Sequence, residues 1–296
     1  MIPPYFSLAL VSAGAYSFGS LFNKQAMPGG CGPYRVTAFT IWASALLLLP
    51  FVFIYSEPLP LTLWFQPLAA AACFSFGSIF FIVALRTGDL SIVAPVSGIK
   101  PIINALLVAA LLGVTVPAAT WIACGLTAIA LIVLRTPNTS TSHSFLRTTL
   151  ITVLGVIGFA LCDTCFQQWA KNWGVLRFAA ITFSISSLAA TAMIPFFSTP
   201  WKQMTRPARN HVLIGSACCA LPGLCMGLAL GRYGHAPEVN VIYSTRAIFS
   251  IGLVWLLGRH IGNIEHTAGR SVLLRRLAGA LILLVAIVLI ISGSAA

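Results

Sequence analysis

Ten blocks of apolar residues, each about twenty long, divide the chain, and that is the length a helix needs to cross a hydrocarbon core roughly 30 Å thick. Little room is left for charge. The 17 Lys+Arg and 5 Asp+Glu among 296 residues make 7%, where a soluble domain carries roughly 25%. With 58% hydrophobic residues and a mean hydropathy of +0.96, a water-soluble domain is excluded. A transmembrane barrel is excluded too, because it needs short segments that alternate apolar and polar residues, and runs such as 278–291 do not alternate. The chain reads as an all-α, multi-pass membrane protein with ten transmembrane helices. Its first block has no basic stretch before it and runs directly into a membrane-length segment, so insertion without a cleavable leader is expected.

The predicted spans, TM1 to TM10, are 4–22, 36–55, 67–85, 90–112, 116–134, 148–170, 178–197, 211–230, 239–257 and 277–291. The polar stretch 135–147 (RTPNTSTSHSFLR) reads as a linker, giving a first five-helix unit over 1–134 and a second over 148–296. The two units repeat one another. At an offset of 146, Ala69, Cys73 and Gly77 fall on Gly215, Cys219 and Gly223, and Val93, Lys100 and Ile102 fall on Val239, Arg246 and Ile248. At 144, Phe22-Asn23-Lys24 falls on Phe166-Gln167-Gln168; in TM5 and TM10, Gly125 can be paired with Gly279. Because five is odd, the copies must cross the membrane in opposite senses, the inverted-topology repeat of many secondary transporters; the alternative is chance likeness between apolar helices.

The net charge of +12 forms no basic stripe with interleaved aromatics, so it sets topology rather than a nucleic-acid surface. Loops on one side hold twelve cations (Lys24, Arg35, Arg86, Arg135, Arg147, Lys202, Arg206, Arg209, Arg259, Arg270, Arg275, Arg276) against three on the other (Lys171, Arg177, Arg232). The positive-inside rule then turns both termini outward.

Five plus five helices, a first helix containing AYSFGSLFNKQA (15–26) and a fourth containing IVAPVSGIKPIINALLVAALLG (92–113) resemble the drug/metabolite transporter superfamily, particularly its EamA-type members. The resemblance spans nearly the whole chain on loose motifs. It implies export of amino acids, metabolites or drugs, or exchange of phosphorylated sugars, by a protein with both termini inside, opposite to the charge count. Relatives often carry Glu after TM4 and TM9, whereas here Gly113-Val114 follows TM4 and the nearest acid after TM9 is Glu265.

Ionisable groups at membrane depth are the sharpest functional signal, since each costs about 3 kcal/mol on insertion scales. Lys100 lies between Pro95 and Pro101 in TM4, with Ser97 and Asn104 on its face by i, i+3, i+4 spacing; Arg246 lies in TM9 with Tyr243 and Ser250 on its face. Two repeat-related cations on polar stripes point to a central cavity for a carboxylate or phosphate, with Tyr16, Trp42 and Tyr243 available to stack on a flat substrate. The alternative is that both cations snorkel or pair with acids and carbonyls to hold helices together. Asp163 in TM6, with Gln167 four residues on, is either their counter-ion, a proton carrier or a group near water; Lys24 is either at the cavity mouth or an interfacial anchor. TM8 carries Gly215, Cys219, Gly223, Gly227 and Gly231 at successive i+4 positions, a ridge for close helix packing or a sliding surface, with a kink expected at Pro222. Trp64, Trp173 and Trp201 are expected in the interfacial belt.

The lone CDTC at 162–165 has no partner pair at zinc spacing, and the chain lacks a Walker A loop, HExxH and GxSxG, so no metal, cofactor or enzyme activity is expected. Asn138-Thr139-Ser140 is a glycosylation sequon that matters only in a eukaryotic secretory route. The sequence thus predicts a secondary transporter of a small anionic or zwitterionic metabolite in a bacterial inner (plasma) membrane. Its partners are that substrate, the lipid bilayer and a coupling proton or exchanged metabolite, with no nucleic acid. A noncatalytic assembly subunit or a membrane-embedded enzyme on the same fold is the alternative.

Overall fold

A computed structural model describes residues 3–55, 58–87, 92–93, 96–134, 145–257 and 270–293. Among these residues the chain is all-helical: α1 (Pro4–Ala26), α2 (Pro33–Leu48), α3 (Phe65–Thr87), α4 (Lys100–Leu112), α5 (Ala118–Val133), α6 (Phe145–Trp173), α7 (Val175–Thr191), α8 (Arg206–Leu228), α9 (Ala236–Tyr243), α10 (Arg246–Leu257) and α11 (Arg270–Gly293). Proline opens many of them. Pro4, Pro33, Pro101, Pro207 and Pro237 stand in first turns, where the missing N–H has no intrahelical partner to lose. Gly113, at φ 64°, closes α4 in the left-handed conformation that a side chain resists.

By length and composition, Pro4–Gly29, Pro33–Ile54, Phe65–Arg86, Leu146–Trp173 and Arg206–Tyr233 can cross a membrane, and Val175–Thr191 with Ile194–Gln203, bent by 54°, makes a sixth candidate. Ser97–Leu112, Ala118–Val133 and Leu277–Ser292 are shorter apolar helices at the fourth, fifth and tenth predicted spans. The ninth predicted span is broken into α9 and α10 at Ser244-Thr245. The linker expectation also changes at one end: α6 begins at Phe145, so its last three residues are helical, while 135–144, Pro95, Glu265, His143, His260 and His266 lie outside the described residues.

Large apolar side chains such as Leu46, Phe53, Leu188 and Val288 point outward, as they must toward lipid, and the buried interior is rich in alanine. Trp173 is a correction: at 2% exposure it is core and not belt, with its Nε1 donating to Gln66 Oε1 at 3.0 Å, while Trp64, packed edge to face on it at 5.4 Å, stays exposed. Polarity drew Trp173 inward, because Gln66 offers a partner for its N–H.

Helix α1 packs along α8 and α3 along α6; α2 packs on α7 and α5 on α11; α2 also meets α8 and α3 meets α7. Helix α4 lies against α6, and α1 against α9 and α10. The tightest crossings run through glycine. A Cβ on Gly19 would sit 2.6 Å from the Gly215 carbonyl and from Cys219 Sγ, and one on Gly158 2.6 Å from the Gly77 amide nitrogen. Gly158→Ala is therefore expected to force the α3 and α6 backbones apart and lower stability by about 1–3 kcal/mol, read as a thermal midpoint in detergent. Gly14→Ala, where nothing lies within 4 Å, is the control with no such loss.

Candidate functional site

Two cations reach into the bundle, and each is the first residue of a helix. Lys100 opens α4 after the tight turn Ser97–Ile99; Arg246 opens α10 just past the break that ends α9. A helix start carries the positive end of the peptide dipoles, so both places favour negative charge.

The protein treats the two cations differently. Lys100 Nζ lies 2.8 Å from Asp163 Oδ2, with the side chains 19% and 13% exposed. The same oxygen accepts from Asn104 Nδ2 at 3.1 Å and Asn240 Nδ2 at 2.8 Å. One carboxylate oxygen on α6 thus gathers donors from α4 and α9, and Lys100 is compensated within the fold. Asn104 Oδ1 and Asn240 Oδ1 are buried and accept no hydrogen bond among the described residues, so each keeps its acceptor lone pairs unused.

Arg246 has no carboxylate within salt-bridge distance among the described residues. Its guanidinium carbon stands 4.7 Å from the Tyr243 ring centroid and 5.1 Å from that of Tyr16, and the two rings meet edge to face at 6.0 Å. Aromatic faces offset part of the cost of taking this cation out of water. The guanidinium carries five N–H donors in a fork that matches a carboxylate or phosphate, and no carboxylate of the described residues takes them. Ser17 Oγ donates to the Arg246 carbonyl at 2.8 Å, tying α1 to the start of α10.

Other candidates are placed elsewhere. Ser250 and Lys24 line a cleft of about 200 Å³ between α10 and α1, together with Ser17, Ser20, Leu21, Ile251 and Leu253. Gln167 Oε1 accepts from the Ala236 amide at 2.9 Å, satisfying an end donor of α9 and making no bond to Asp163. Trp42 donates to the Ser187 carbonyl at 3.1 Å and lines a separate cleft of about 470 Å³ with Arg35, Phe39, Phe197 and Trp201. The α8 ridge serves several partners rather than one: Gly215 and Cys219 face α1, Gly223 faces Phe183, Gly227 faces Ala179 and Phe166, and Gly231, in the π turn Ala229–Tyr233, faces Val175 and Ala170. Helix α8 runs unbroken through Pro222 and changes pitch only at that π turn.

Residues 4–136 match the model of the EamA-like transporter family. That match, over the first part of the chain, is to a family of the drug/metabolite transporter superfamily. A solved crystal structure is similar at 14% identity over 96% of both chains, with a TM-score of 0.76, a likeness of fold alone. No curated protein matches the chain. The protein is a multi-pass membrane transporter.

Three features of this transporter escaped the sequence reading. Asn240 has no marker in the sequence, and its side chain reaches Asp163 from a different helix. Glu238 stood one residue outside the predicted TM9, yet α9 starts at Ala236 and buries it, with Oε1 accepting from Thr120 Oγ1 at 2.9 Å. Arg35 and Arg177 were read as loop charges and are buried, at 3% and 2% exposure. A third register, at an offset of 142, is the signal that would have found the arginines. Among the described residues no three His, Cys, Asp or Glu side chains cluster to hold a metal, and Cys162 and Cys165 are free thiols.

Proposed function

We propose that the protein is a secondary transporter of a small anionic or zwitterionic metabolite in a bacterial plasma membrane. It works by alternating access of two inverted five-helix repeats, 1–134 and 148–296 joined by 135–147, and Arg246 receives the negative group. The observation that carries this reading is the contrast between the cations: Lys100 is neutralised by Asp163, whereas Arg246 lies against two tyrosine rings with no acid beside it among the described residues. The 144-residue register supports it, since it sets Asp163 opposite Gly19 (163 − 144 = 19), so the first repeat offers no carboxylate at the equivalent place. The repeats are supported by the packing. Exchanging each helix for its counterpart five spans later turns α1 against α8 into α6 against α3, α2 against α8 into α7 against α3, and α4 against α6 into the α9–α10 unit against α1. Broken helices whose starts face the substrate's negative group are a recurring device of such carriers.

For a zwitterion, the Asn104 and Asn240 oxygens, closed off in this structure, would accept from an ammonium group once the halves part. Lys100 with Asn104 becomes a framing element rather than a second anion site, and Ser250, Lys24 and Trp42 line other clefts. Thermal stabilisation by a panel of anionic, zwitterionic, cationic and neutral metabolites tests the reading, because a ligand that binds only the folded protein raises its apparent stability. Anions or zwitterions are expected to stabilise the wild type and not Arg246→Ala. Stabilisation by cations alone, or stabilisation that survives Arg246→Ala, overturns it.

A further inference from the structure

The sequence Gly32-Pro33-Tyr34-Arg35 enters α2, and Gly174-Val175-Leu176-Arg177 enters α7. An offset of 142 relates Gly32 to Gly174, Arg35 to Arg177 and Tyr55 to Phe197 (32 + 142 = 174, 35 + 142 = 177, 55 + 142 = 197). In space the partners are exchanged. Arg177 Nη2 donates to the Tyr55 carbonyl at 2.7 Å with its guanidinium carbon 4.8 Å from the Tyr55 ring centroid; Arg35 Nη2 donates to the Thr199 carbonyl with its guanidinium carbon 4.7 Å from the Phe197 ring centroid. Each arginine therefore reaches from the start of its own helix to the segment just past the end of the other.

Each glycine seats the segment its arginine holds. A Cβ on Gly174 would lie 2.6 Å from Tyr55 Cε1, and one on Gly32 2.9 Å from Ser198 Oγ. Because Arg35 is fastened beyond the end of α7 and Arg177 beyond the end of α2, the two helices run antiparallel. The fastenings thus stand at opposite ends of the α2–α7 seam, about 24 Å apart for helices of 16 and 17 residues. Both are engaged in this structure, and both join the first five-helix unit to the second.

We propose that these Gly-x-x-Arg fastenings are the two gates of the transporter, one at each membrane face, which open in alternation. The inference rests on the alternating-access reading. Rocking of the halves at one face must separate α2 from the segment after α7, or α7 from the segment after α2, and neither can part while its arginine is fastened. A charge-assisted hydrogen bond to a carbonyl with a ring face beneath it is strong enough to hold one end shut and weak enough to release thermally. An arginine that merely anchors a loop has no reason to affect the opposite end of the seam.

Amide hydrogen exchange in lipid nanodiscs, on the full chain without substrate, tests this. Arg35→Ala is expected to raise exchange at 197–199 about tenfold, the loss of one charge-assisted hydrogen bond, and to slow it at 53–55. Arg177→Ala is expected to do the reverse. Arg35→Lys and Arg177→Lys, which keep the charge but lose the planar fork, shift the two ends in the same senses by less and carry the test if the alanine variants do not fold. Exchange that rises only at the altered end, or at both ends together, overturns the gates. Since no ligand is present, either result leaves the role of Arg246 to its own experiment.

Discussion

Lys100→Ala is expected to lower stability by about 3–5 kcal/mol, the loss typical when one member of a buried ion pair is removed. The reason is the carboxylate left behind. Asp163 retains Asn104 and Asn240 as donors, but two amides do not neutralise a charge in a low-dielectric interior. Lys100→Met combined with Asp163→Asn is expected to recover most of the loss, because the new amide oxygen still accepts from both asparagines and no charge remains to be compensated. Thermal midpoints of Lys100→Met, Asp163→Asn and the double variant in one detergent give the coupling directly. If the double variant is no better than Lys100→Ala, the pair is not what Lys100 does, and it returns as a candidate for the substrate.

In proteoliposomes loaded with whichever anion stabilises the protein, Arg246→Ala is expected to lower uptake at limiting substrate by about 30-fold or more, the consequence of deleting one partner of a desolvated charge pair worth about 2–5 kcal/mol. Arg246→Lys is expected to recover only part, since an ammonium supplies the charge without the planar fork. Tyr243→Phe keeps the ring beneath the guanidinium and is expected to transport nearly as the wild type, whereas Tyr243→Ala loses the ring on which the guanidinium rests. Equal loss in Tyr243→Phe and Tyr243→Ala would assign the effect to the hydroxyl and not to stacking.

The all-helical membrane character was readable at once, since 7% charge and long apolar runs admit little else. The site was readable along helices and not across them. Periodicity puts Asn104 one turn from Lys100, because neighbours on one helix are fixed by 3.6 residues per turn, and it sets Tyr243 beside Arg246 without showing the break between them. It says nothing of Asp163 Oδ2 receiving Asn104 from 59 residues away and Asn240 from 77, or of Ser17 reaching the Arg246 carbonyl across 229. The same blindness hid Arg35 and Arg177: on a hydropathy profile a buried arginine bonded to a distant carbonyl looks like a loop charge. Trp42 was grouped with the cations by residue type alone, and the fold sends it to the α2–α7 seam.

An arginine without an acid beside it is also an object on which a voltage acts. Moving one elementary charge through the full membrane field is worth about 2.3 kcal/mol per 100 mV. Lys100, bound to Asp163, contributes almost no net charge to that displacement, whereas Arg246 contributes its own unless a substrate anion cancels it. The loaded carrier would then reorient nearly indifferent to the electrical gradient, and the empty one would feel it on the way back. The direction of net flow would be set as much by the empty return as by the concentration of cargo.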